Sequence, residues 1–569
     1  MSRRLFEKAR RLLSQEHPLL PLPDFKDRRG GLSIALAYLN RYYTAMSNLG
    51  FQAVYWLFNQ EPGTSCQRVF LPDPEDIPEY RRTDTPLFSL ESQQPVRSFD
   101  ILAFSVSYEN DYPHLLTMMD LAGIPLLRKD RNEADPLVLA GGASILMNPE
   151  PLADFVDFFV IGEAEETIGP LAHSLRKGRE KGLSKETRLH DLAGLEGLYV
   201  PQFYDVAYRP DGTIDFFMAQ KDFPPRVKKV WLKDLNASVT VSPIVTSNTE
   251  LSNMLLLELS RGCRRGCRFC AGCYAYFPYR HRDAGLLEKA AVQGKGLAEK
   301  VGLVGAAISD YPGILPLGRR ILQEEIPLSF SSLRVDSLSP ELADLAFRSG
   351  QRTVTLAPEA GSERMRRVIK KGFTEETILK AVEILAERGF NTFRLYFMVG
   401  LPQESKEDVK GIIDLTRKVQ HHALVRSPGK KKAERITVSL NSFVPKPTTP
   451  FQWHPFDDLS GLNEKMKWVK EGFRKDRNII VTADLPKWAY LQTVLSRGDR
   501  RVGKLLLTAH KLGGNWPQAY RSVDLNPDFY VYRPRTFEEI LPWDFIDPGM
   551  KKEFLWEEYQ KALQEGRKG

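Results

Sequence analysis

Three cysteines in one short loop constrain this chain more than any other feature. Cys263, Cys267 and Cys270 follow the pattern CxxxCxxC within LELSRGCRRGCRFCAGCYAYFPYR, directly after the apolar stretch MLLLEL. A loop of this length can wrap one iron–sulfur cubane with three thiolates, and Gly262 and Gly266 give it backbone freedom. Three protein ligands leave one iron open to a substrate. Cations would stabilise an anionic cluster and lower the pKa of the thiols, and the loop carries Arg261, Arg264, Arg265 and Arg268.

Other uses of clustered cysteines have to be weighed against this one. The chain has five cysteines, four of them within eleven positions, which favours a metal over a disulfide framework. A structural zinc site would use paired CxxC units or histidines, and His281 is the nearest candidate. Cys273 adds a fourth thiol, as in an electron-transfer cluster, although such a protein would not need the long α/β region that follows. We interpret the loop as a catalytic cluster site and leave Cys273 without a role.

Apolar strands alternate with amphipathic helices through most of the chain, which predicts an α/β fold. In the first half we predict the strands LSIALAYLN, FQAVYWLFN, FDILAFSVS, PLVLAGGAS and DFFVIGE, and their composition is typical of a doubly wound, Rossmann-like parallel sheet. After the cysteines, five more strands (VGLVGAAIS, PLSFSSLRV, TVTLAPEA, TFRLYFMVG and RITVSLNSF) indicate a barrel or part of one, with chemistry at the carboxyl ends of the strands. The C-terminal part is predicted to be mainly helical.

The expected organisation has five parts. They are a helical extension at 1–30, the Rossmann-like domain at 31–190, a linker with short strands at 191–250, the barrel-like domain at 251–456, and a helical region at 457–569. We predict a solvated basic loop at 426–434 and assign the net charge of +8 mainly to the solvated surface. No apolar run approaches the ~18 residues of a membrane span, and the basic N-terminus has no apolar signal core. We therefore expect a cytoplasmic protein with no membrane partner.

The segment ELSRGCRRGCRFC resembles the signature of the radical S-adenosylmethionine (SAM) superfamily, including the aromatic Phe269 before the third cysteine. The resemblance implies that Cys263, Cys267 and Cys270 hold a 4Fe-4S cluster whose open iron chelates SAM, with Phe269 near the adenine. It also implies a partial barrel of six βα units, in TIM-barrel style, over 251–456. The second strand lacks the glutamate that many members place near the SAM amino group. Backbone carbonyls, Ser309 or Asp310 would then do that work.

Further SAM contacts follow from the same resemblance. TLAPEAGSERMRR is similar to the fourth-strand segment whose acidic residue binds the SAM ribose, which points to Glu359 with Gly361 and Ser362 following. A carboxylate pairs well with two adjacent hydroxyls, and the Gly-Ser turn opens a helix with free N–H groups. FRLYFMVGLPQE resembles the fifth strand, where we expect Arg394 to be buried and to pair with the SAM carboxylate, or else to form a structural salt bridge.

The first domain is similar to the cobalamin-binding domain of one radical SAM subgroup. VLAGGASILMNPEPLADFVDFFVIGEAEETI carries two turns after buried strands, and the SVSYEND loop provides a third turn on the same edge of the sheet. The DxHxxG motif is absent, since Asp111 and His114 have the wrong spacing, so the cobalt would lack a histidine ligand. Alternatively, the domain keeps the fold without the cofactor or recognises the substrate. The candidate cofactor contacts are Ser107, Tyr108, Gly141, Gly142, Ala143, Ser144, Gly162 and Glu163.

The resemblance implies reductive cleavage of SAM to methionine and a 5′-deoxyadenosyl radical that abstracts hydrogen from a substrate carbon. With cobalamin, the expected activity is that of a C-methyltransferase acting on an unactivated carbon. The expected partners are an electron donor such as flavodoxin or ferredoxin, and a substrate that is a small molecule, a protein or RNA. The helical region at 457–569 would cover the substrate. The alternatives are a cobalamin-independent radical SAM enzyme that modifies RNA or protein, and a non-catalytic iron–sulfur electron-transfer protein.

Overall fold

The computed structural model of the 569-residue chain describes residues 1–21, 31–331, 333–428 and 435–567. The end of the predicted N-terminal extension and most of the predicted basic loop at 426–434 therefore lie outside the described residues. Within the described ranges, none of the helices combines the length and the apolar character needed to cross a bilayer.

The first half of the chain is built on a six-stranded sheet. Its parallel strands lie in the order β3–β2–β4–β5–β6, and β7 joins the edge antiparallel. The chain reverses its direction of winding between β2 and β4, where doubly wound sheets bind ligands. The predicted Rossmann-like sheet is thus confirmed. The strands are β1 (Glu16–Pro18), β2 (Leu32–Tyr38), β3 (Thr64–Phe70), β4 (Ile101–Ser105), β5 (Leu137–Gly141), β6 (Phe158–Val160) and β7 (Leu198–Tyr199). The helices are α1 (Arg3–Ser14), α2 (Tyr42–Ala45), α3 (Leu49–Gln60), α4 (Ile77–Arg82), α5 (Tyr112–Leu121), α6 (Ala164–Glu180) and α7 (Lys185–Ala193).

One predicted strand of this sheet is wrong. The stretch FQAVYWLFN lies in helix α3, and the strand in its place is β3, TSCQRVF. The side chain of Asn48 caps the helix by accepting a hydrogen bond from the Phe51 amide. Phe51, Tyr55 and Phe58 are then buried on one face at helical spacing. An apolar run of this length does not distinguish a buried strand from a buried helix by periodicity alone.

Residues 198–246 cross from the first sheet to the second half of the chain. They form an antiparallel hairpin, a short strand and a strand that pairs with β1. These elements are β8 (Tyr204–Tyr208), β9 (Ile214–Ala219), β10 (Val227–Lys228) and β11 (Ile244–Thr246).

The second half contains two groups of parallel strands in the described residues, β12–β15–β16 and β17–β18–β19–β20, rather than one closed barrel. The five strands predicted after the cysteines are present, the apolar stretch MLLLEL forms the strand before them, and β20 is a further parallel strand within the part predicted as mainly helical. The strands are β12 (Met254–Glu258), β13 (Ser260–Arg261), β14 (Arg280–His281), β15 (Lys300–Val304), β16 (Leu328–Phe330), β17 (Thr353–Glu359), β18 (Thr392–Val399), β19 (Arg435–Ser442) and β20 (Ile479–Ala483). The helices are α8 (Ala271–Ala275), α9 (Ala284–Gln293), α10 (Ile314–Gln323), α11 (Pro340–Arg348), α12 (Glu363–Val368), α13 (Glu375–Glu387), α14 (Lys406–Arg426) and α15 (Leu459–Gly472).

The C-terminal helices connect the two halves. Asn148 donates to the carbonyl oxygens of Ser496 and Gly498 at the end of one helix, and Arg500 pairs with Glu150 at 2.9 Å. A short strand near residue 546 pairs in parallel with β10, and the last helix packs against α12. The C-terminal elements are α16 (Pro486–Arg497), α17 (Val502–Lys511), α18 (Trp516–Ser522), α19 (Asp528–Val531), β21 (Ile546–Asp547) and α20 (Lys552–Arg567).

A close approach between β17 and α14 gives the first prediction. A Cβ atom at Gly361 would overlap the backbone of Gly411 and Ile412. We expect Gly361→Ala to lower the free energy of unfolding by about 1–3 kcal/mol, because neither backbone can yield without shifting a whole element. Urea unfolding of the purified chain measures the change. Gly194→Ala is the matched control, since its Cβ would lie 3.6 Å from the Asp191 carbonyl oxygen in ordinary contact. Equal stability of the two variants would contradict the close contact.

Candidate functional site

A two-residue ribbon closes the cysteine loop at its base. Strand β13 pairs antiparallel with β14, so that Arg261 lies directly opposite Arg280 and residues 262–279 form the loop between them. Gly262 and Gly266 both adopt positive φ, at 78° and 65°. The Tyr274 hydroxyl donates to the Gly266 carbonyl oxygen at 3.1 Å. The loop is therefore a compact, internally bonded structure that gathers its cysteines.

The four thiols of this loop lie in contact. A hydrogen bond with the Cys273 thiol lowers the pKa of Cys263 to about 6 and that of Cys267 to about 7, against the opposing effect of burial. The same contact lowers the pKa of Cys270. The charge of Arg334 adds to the shift at the first two thiols. Thiolates are the form that ligates iron, so the donor set fits an iron–sulfur cluster.

The arginines that the sequence assigned to the cluster are used mostly to anchor the loop. Arg265 pairs with Asp310 at 2.6 Å and with Asp336 at 3.0 Å, and Arg268 pairs with Glu558 at 3.2 Å. The remaining contacts join Arg261 to Glu163, Glu165 and Glu258, and place Arg264 over the Tyr279 ring at 4.4 Å. Arg265 also interacts with the Cys263 thiol, and two cations outside the loop, Arg334 and Lys371, act on the thiols as well.

Lys371 connects the loop to the end of β17. Its Nζ lies 3.1 Å from Oε1 of Glu359 and 5.7 Å from the ring centre of Phe269, and its charge lowers the pKa of Cys267. Glu359 has a φ of 67°, which is strained for a residue with a side chain. Phe269 and Glu359 are thus brought together beside the cysteines, although Glu359 faces a lysine in this structure. Their contacts with SAM stay predictions.

The other predicted SAM contacts have partners within the protein. Ser309 accepts hydrogen bonds from the Arg334 amide at 3.2 Å and from the Ser337 hydroxyl at 2.8 Å. The Ser362 hydroxyl caps α12 by accepting from the Met365 amide and itself donates to Asp408. Gly361 provides the close contact with α14 described above. These residues have structural reasons to be where they are, and any contact with SAM would be additional.

Arg394 corrects one expectation. The side chains of β18 alternate, with Phe393 and Leu395 buried while Arg394 is exposed. Its backbone pairs with Thr355 and Thr437 of the neighbouring strands, and its side chain makes no ion pair among the described residues. The expected burial is therefore wrong, because the apolar neighbours belong to the opposite face of the strand, whereas pairing with the SAM carboxylate stays a prediction. Arg394 shares the open inner face of the sheet with Tyr396.

A cavity of about 730 Å³ lies between the first sheet and the cysteine loop. One wall comes from the carboxyl ends of β2, β4 and β5 and from the start of α3, which is the element mistaken for a strand. The other wall comes from the second half of the chain, including Tyr276, and the glycines of both walls give backbone surface. Representative lining residues are Asn48, Ser107, Gly142, Ala143, Ser260, Gly262, Gly302 and Gly305.

Most of the predicted turn residues line this cavity, namely Ser107, Gly141, Gly142, Ala143, Gly162 and Glu163. Gly142 has a φ of 122°, and a Cβ there would overlap the Val106 carbonyl. The other two predicted residues are not among the lining residues. The Tyr108 hydroxyl donates to Gln492 at 3.2 Å, and the buried Ser144 hydroxyl donates to the Val106 carbonyl at 3.1 Å.

Histidine is absent from the described residues that line the cavity. Nδ1 of His114 hydrogen-bonds with the Leu39 carbonyl at 2.8 Å. The cavity therefore resembles a site for a large ligand held by backbone and apolar contacts, without an imidazole ligand for a metal.

Glu163 has a structural role besides the predicted cofactor contact, which stays a prediction. Its backbone borders the cavity, but its carboxylate is occupied by Arg280 and Arg261, both at 2.7 Å, and by the Leu232 amide at 3.0 Å. Burial raises the pKa of Glu163, but the Arg280 hydrogen bonds and the two guanidinium charges outweigh burial and hold the pKa below its usual value. One carboxylate of the first domain thus bridges two arginines that face each other across the base of the cysteine loop. Sequence reasoning missed this pairing because Arg280 lies outside the cysteine motif.

The bridge gives a prediction for stability. We expect Glu163→Gln to lower the free energy of unfolding at pH 7 by about 3–5 kcal/mol, because the buried Arg280 loses its carboxylate partner, whereas Arg261 keeps Glu165 and Glu258. The pKa of Glu163 in the folded chain lies below the usual value of a glutamate. Its contribution is therefore present above that pH and is lost as the pH falls through the folded pKa, so the two proteins converge in acid.

Denaturant unfolding from pH 7 to pH 3.5 measures both effects. The matched control is Glu196→Gln, which removes an exposed carboxylate that pairs with Lys228. We expect a change below about 1 kcal/mol for that variant. A Glu163→Gln protein as stable as the control would contradict the bridge.

Comparison with known proteins agrees with this architecture. Residues 257–416 match the family model of the radical SAM superfamily, and residues 50–201 match that of the N-terminal region of radical SAM proteins. The uncharacterised protein MJ0966 of Methanocaldococcus jannaschii is 30% identical over 479 residues, which is 83% of this chain and 90% of that protein. The uncharacterised methyltransferase PH0819 of Pyrococcus horikoshii is 24% identical over 311 residues, which is 53% of this chain and 62% of that protein.

A solved structure has a similar fold over nearly the whole chain. The cobalamin-dependent S-adenosylmethionine radical enzyme OxsB with aqua-cobalamin bound aligns with a TM-score of 0.51 at 13% identity, covering 95% of this chain and 80% of that chain. In this structure the two matched ranges contain most of the doubly wound sheet and the cysteine loop with parallel strands that follow it. The chain therefore belongs to the radical SAM superfamily.

Proposed function

We propose that the chain is a cobalamin-dependent radical SAM methyltransferase that transfers a methyl group to an unactivated carbon. The observation that carries the proposal is the cavity, because its two walls are the glycine turns of the doubly wound sheet and the base of the cysteine loop. A ligand in that cavity would lie beside the cluster site. A reaction that uses two cofactors requires them to lie close together.

Cys263, Cys267 and Cys270 would hold the 4Fe-4S cluster. With SAM bound, the reduced cluster supplies a 5′-deoxyadenosyl radical that takes a hydrogen atom from the substrate. Arg334 and Lys371 favour the thiolate form of the ligands. Phe269 and Glu359 border the same space and are the residues we assign to the adenosine part of SAM.

The cavity would hold cobalamin, which supplies the methyl group when it is bound. Gly141, Gly142 and Gly162 allow a large planar ligand to approach the backbone, and Leu36, Leu139 and other apolar side chains exclude water. Without a histidine in the lining, the protein would leave the cobalt without an imidazole ligand. Cobalamin in the fold-related OxsB, and the methyltransferase name of the Pyrococcus relative, support the proposal.

The proposal also assigns the partners. An electron donor such as flavodoxin or ferredoxin would reduce the cluster, and a reducing cytoplasm would keep the four loop thiols available. The substrate would reach the open inner face of the second sheet, which carries Thr355, Arg394, Tyr396 and Ser439. Trp488 of the C-terminal region is 45% exposed and available to cover that opening. Either a small molecule or an exposed segment of protein or RNA fits this description.

Anaerobic purification and reconstitution test the proposal. We expect about four irons and one cobalt per chain, and SAM cleavage to 5′-deoxyadenosine with a strong reductant. Cys270→Ala should lose SAM cleavage, whereas Cys66→Ala, which removes a buried thiol from β3, should retain it. Cleavage without cobalt would exclude the cobalamin-dependent reaction and favour a cobalamin-independent enzyme. Iron without cleavage would leave an electron-transfer protein.

A further inference from the structure

The fourth thiol of the loop has no role in a site with three ligands. Cys273 is only 5% exposed, and its thiol contacts those of Cys263, Cys267 and Cys270. Its amide donates to the Cys270 carbonyl oxygen at 3.1 Å. Cys270 caps α8 and Cys273 lies three residues later, so both side chains project to the same side of this short helix. The backbone therefore brings the Cys270 and Cys273 side chains to the same side of the helix.

A buried cysteine often serves only as a small apolar side chain. Cys66 is an example, since it is fully buried in β3. Cys273 differs because its sulfur contacts the three thiols already assigned to iron. Four thiolates are also the ordinary ligand set of a 4Fe-4S cluster.

Open space lies beside helix α8, which carries Cys273. Gly272 and Tyr276, on either side of it, line the large cavity. A Cβ at Gly272 would meet only the Cys270 sulfur within 4 Å, at 3.7 Å. Helix α8 is only five residues long and borders open space, so a small shift of it would move the Cys273 thiol.

We propose that Cys273 is an exchangeable fourth ligand of the cluster, which binds the open iron in the absence of SAM and is displaced when SAM binds. This inference rests on the cluster assignment of the proposed function and does not depend on cobalamin. In the exchange, the bond between iron and the Cys273 sulfur breaks, and bonds from iron to the amino nitrogen and a carboxylate oxygen of SAM form. The SAM ammonium loses one proton, the released thiolate takes up one proton, and no electron is transferred.

The exchange has two measurable consequences. The SAM-free cluster would be protected, because an iron with four sulfur ligands is not exposed to solvent or oxidant. SAM would bind more weakly than to a three-cysteine site, because it must displace a ligand. If the thiolate occupies the iron in about 90% of molecules, the apparent dissociation constant of SAM rises roughly tenfold.

Mild ferricyanide oxidation of the anaerobically reconstituted protein tests the first consequence. Electron paramagnetic resonance follows the loss of one iron, which converts the cluster to the 3Fe-4S form. We expect Cys273→Ala to form 3Fe-4S roughly tenfold faster than the wild type without SAM, since the open iron is then unprotected for most of the time. Saturating SAM should bring the two proteins to the same slow rate. Cys66→Ala is the matched control and should behave as the wild type does.

Equilibrium dialysis with labelled SAM tests the second consequence. We expect Cys273→Ala to bind SAM more tightly than the wild type, with Cys273→Ser in between. Equal rates of iron loss and equal SAM affinities in the wild type and Cys273→Ala would overturn the proposal.

The wild type alone provides a check that does not depend on the folding of a variant. Mössbauer spectra of the SAM-free cluster should show four sulfur-ligated irons, and a distinct site should emerge on addition of SAM. A distinct, non-sulfur site already present without SAM would refute the exchange. SAM cleavage and cobalt content of the same samples report separately on the proposed function.

Discussion

One buried carboxylate of the first half, that of Glu163, joins both strands at the base of the cysteine loop. Arg261 and Arg280 face each other across the ribbon that closes the cysteine loop, and like charges directly opposite on paired strands repel. Glu163 lies between them at 2.7 Å from each. Because Glu163 follows the last parallel strand of the first sheet, the same contact closes the loop and fixes it against that sheet. The cluster site and the cavity share a wall for this reason.

The position of the cluster site depends on the contacts that hold the cysteine loop against the rest of the chain. Lys229 donates from the connecting segment to the carbonyl oxygens of Ala275 and Phe277, and Arg268 reaches the last helix at Glu558. Such bonds from several directions anchor the loop to the rest of the chain. Positive charges outside the loop, at Arg334 and Lys371, also act on the thiols.

Local patterns predicted the fold well, and features that depend on distant partners were predicted poorly. Strands β2, β4 and β5 and the six strands of the second half follow from apolar runs bounded by turns. The error at α3 has a physical cause, since a helix that is apolar on most sides resembles a buried strand. The spacing of the three cysteines is also local, and the loop brings them together. The ion pairs of Glu163 and the exposure of Arg394 were not predicted, because the first depends on partners far away in sequence and the second on which face of the strand the side chain occupies. No pattern within the cysteine motif indicates that Arg280 forms an ion pair with Glu163.

The shared bridge also limits how such proteins can be rearranged in evolution or in the laboratory. A first domain transplanted from a relative would bring its own residue at the position of Glu163, while the recipient would keep its arginines at the base of the loop. Unless acid and arginines travel together, the graft would have two facing guanidinium groups with no counter-charge between them. The boundary for exchanging domains therefore does not fall in the linker, where the chain crosses over. It falls around residue 282, after the cysteine loop has returned to the first domain.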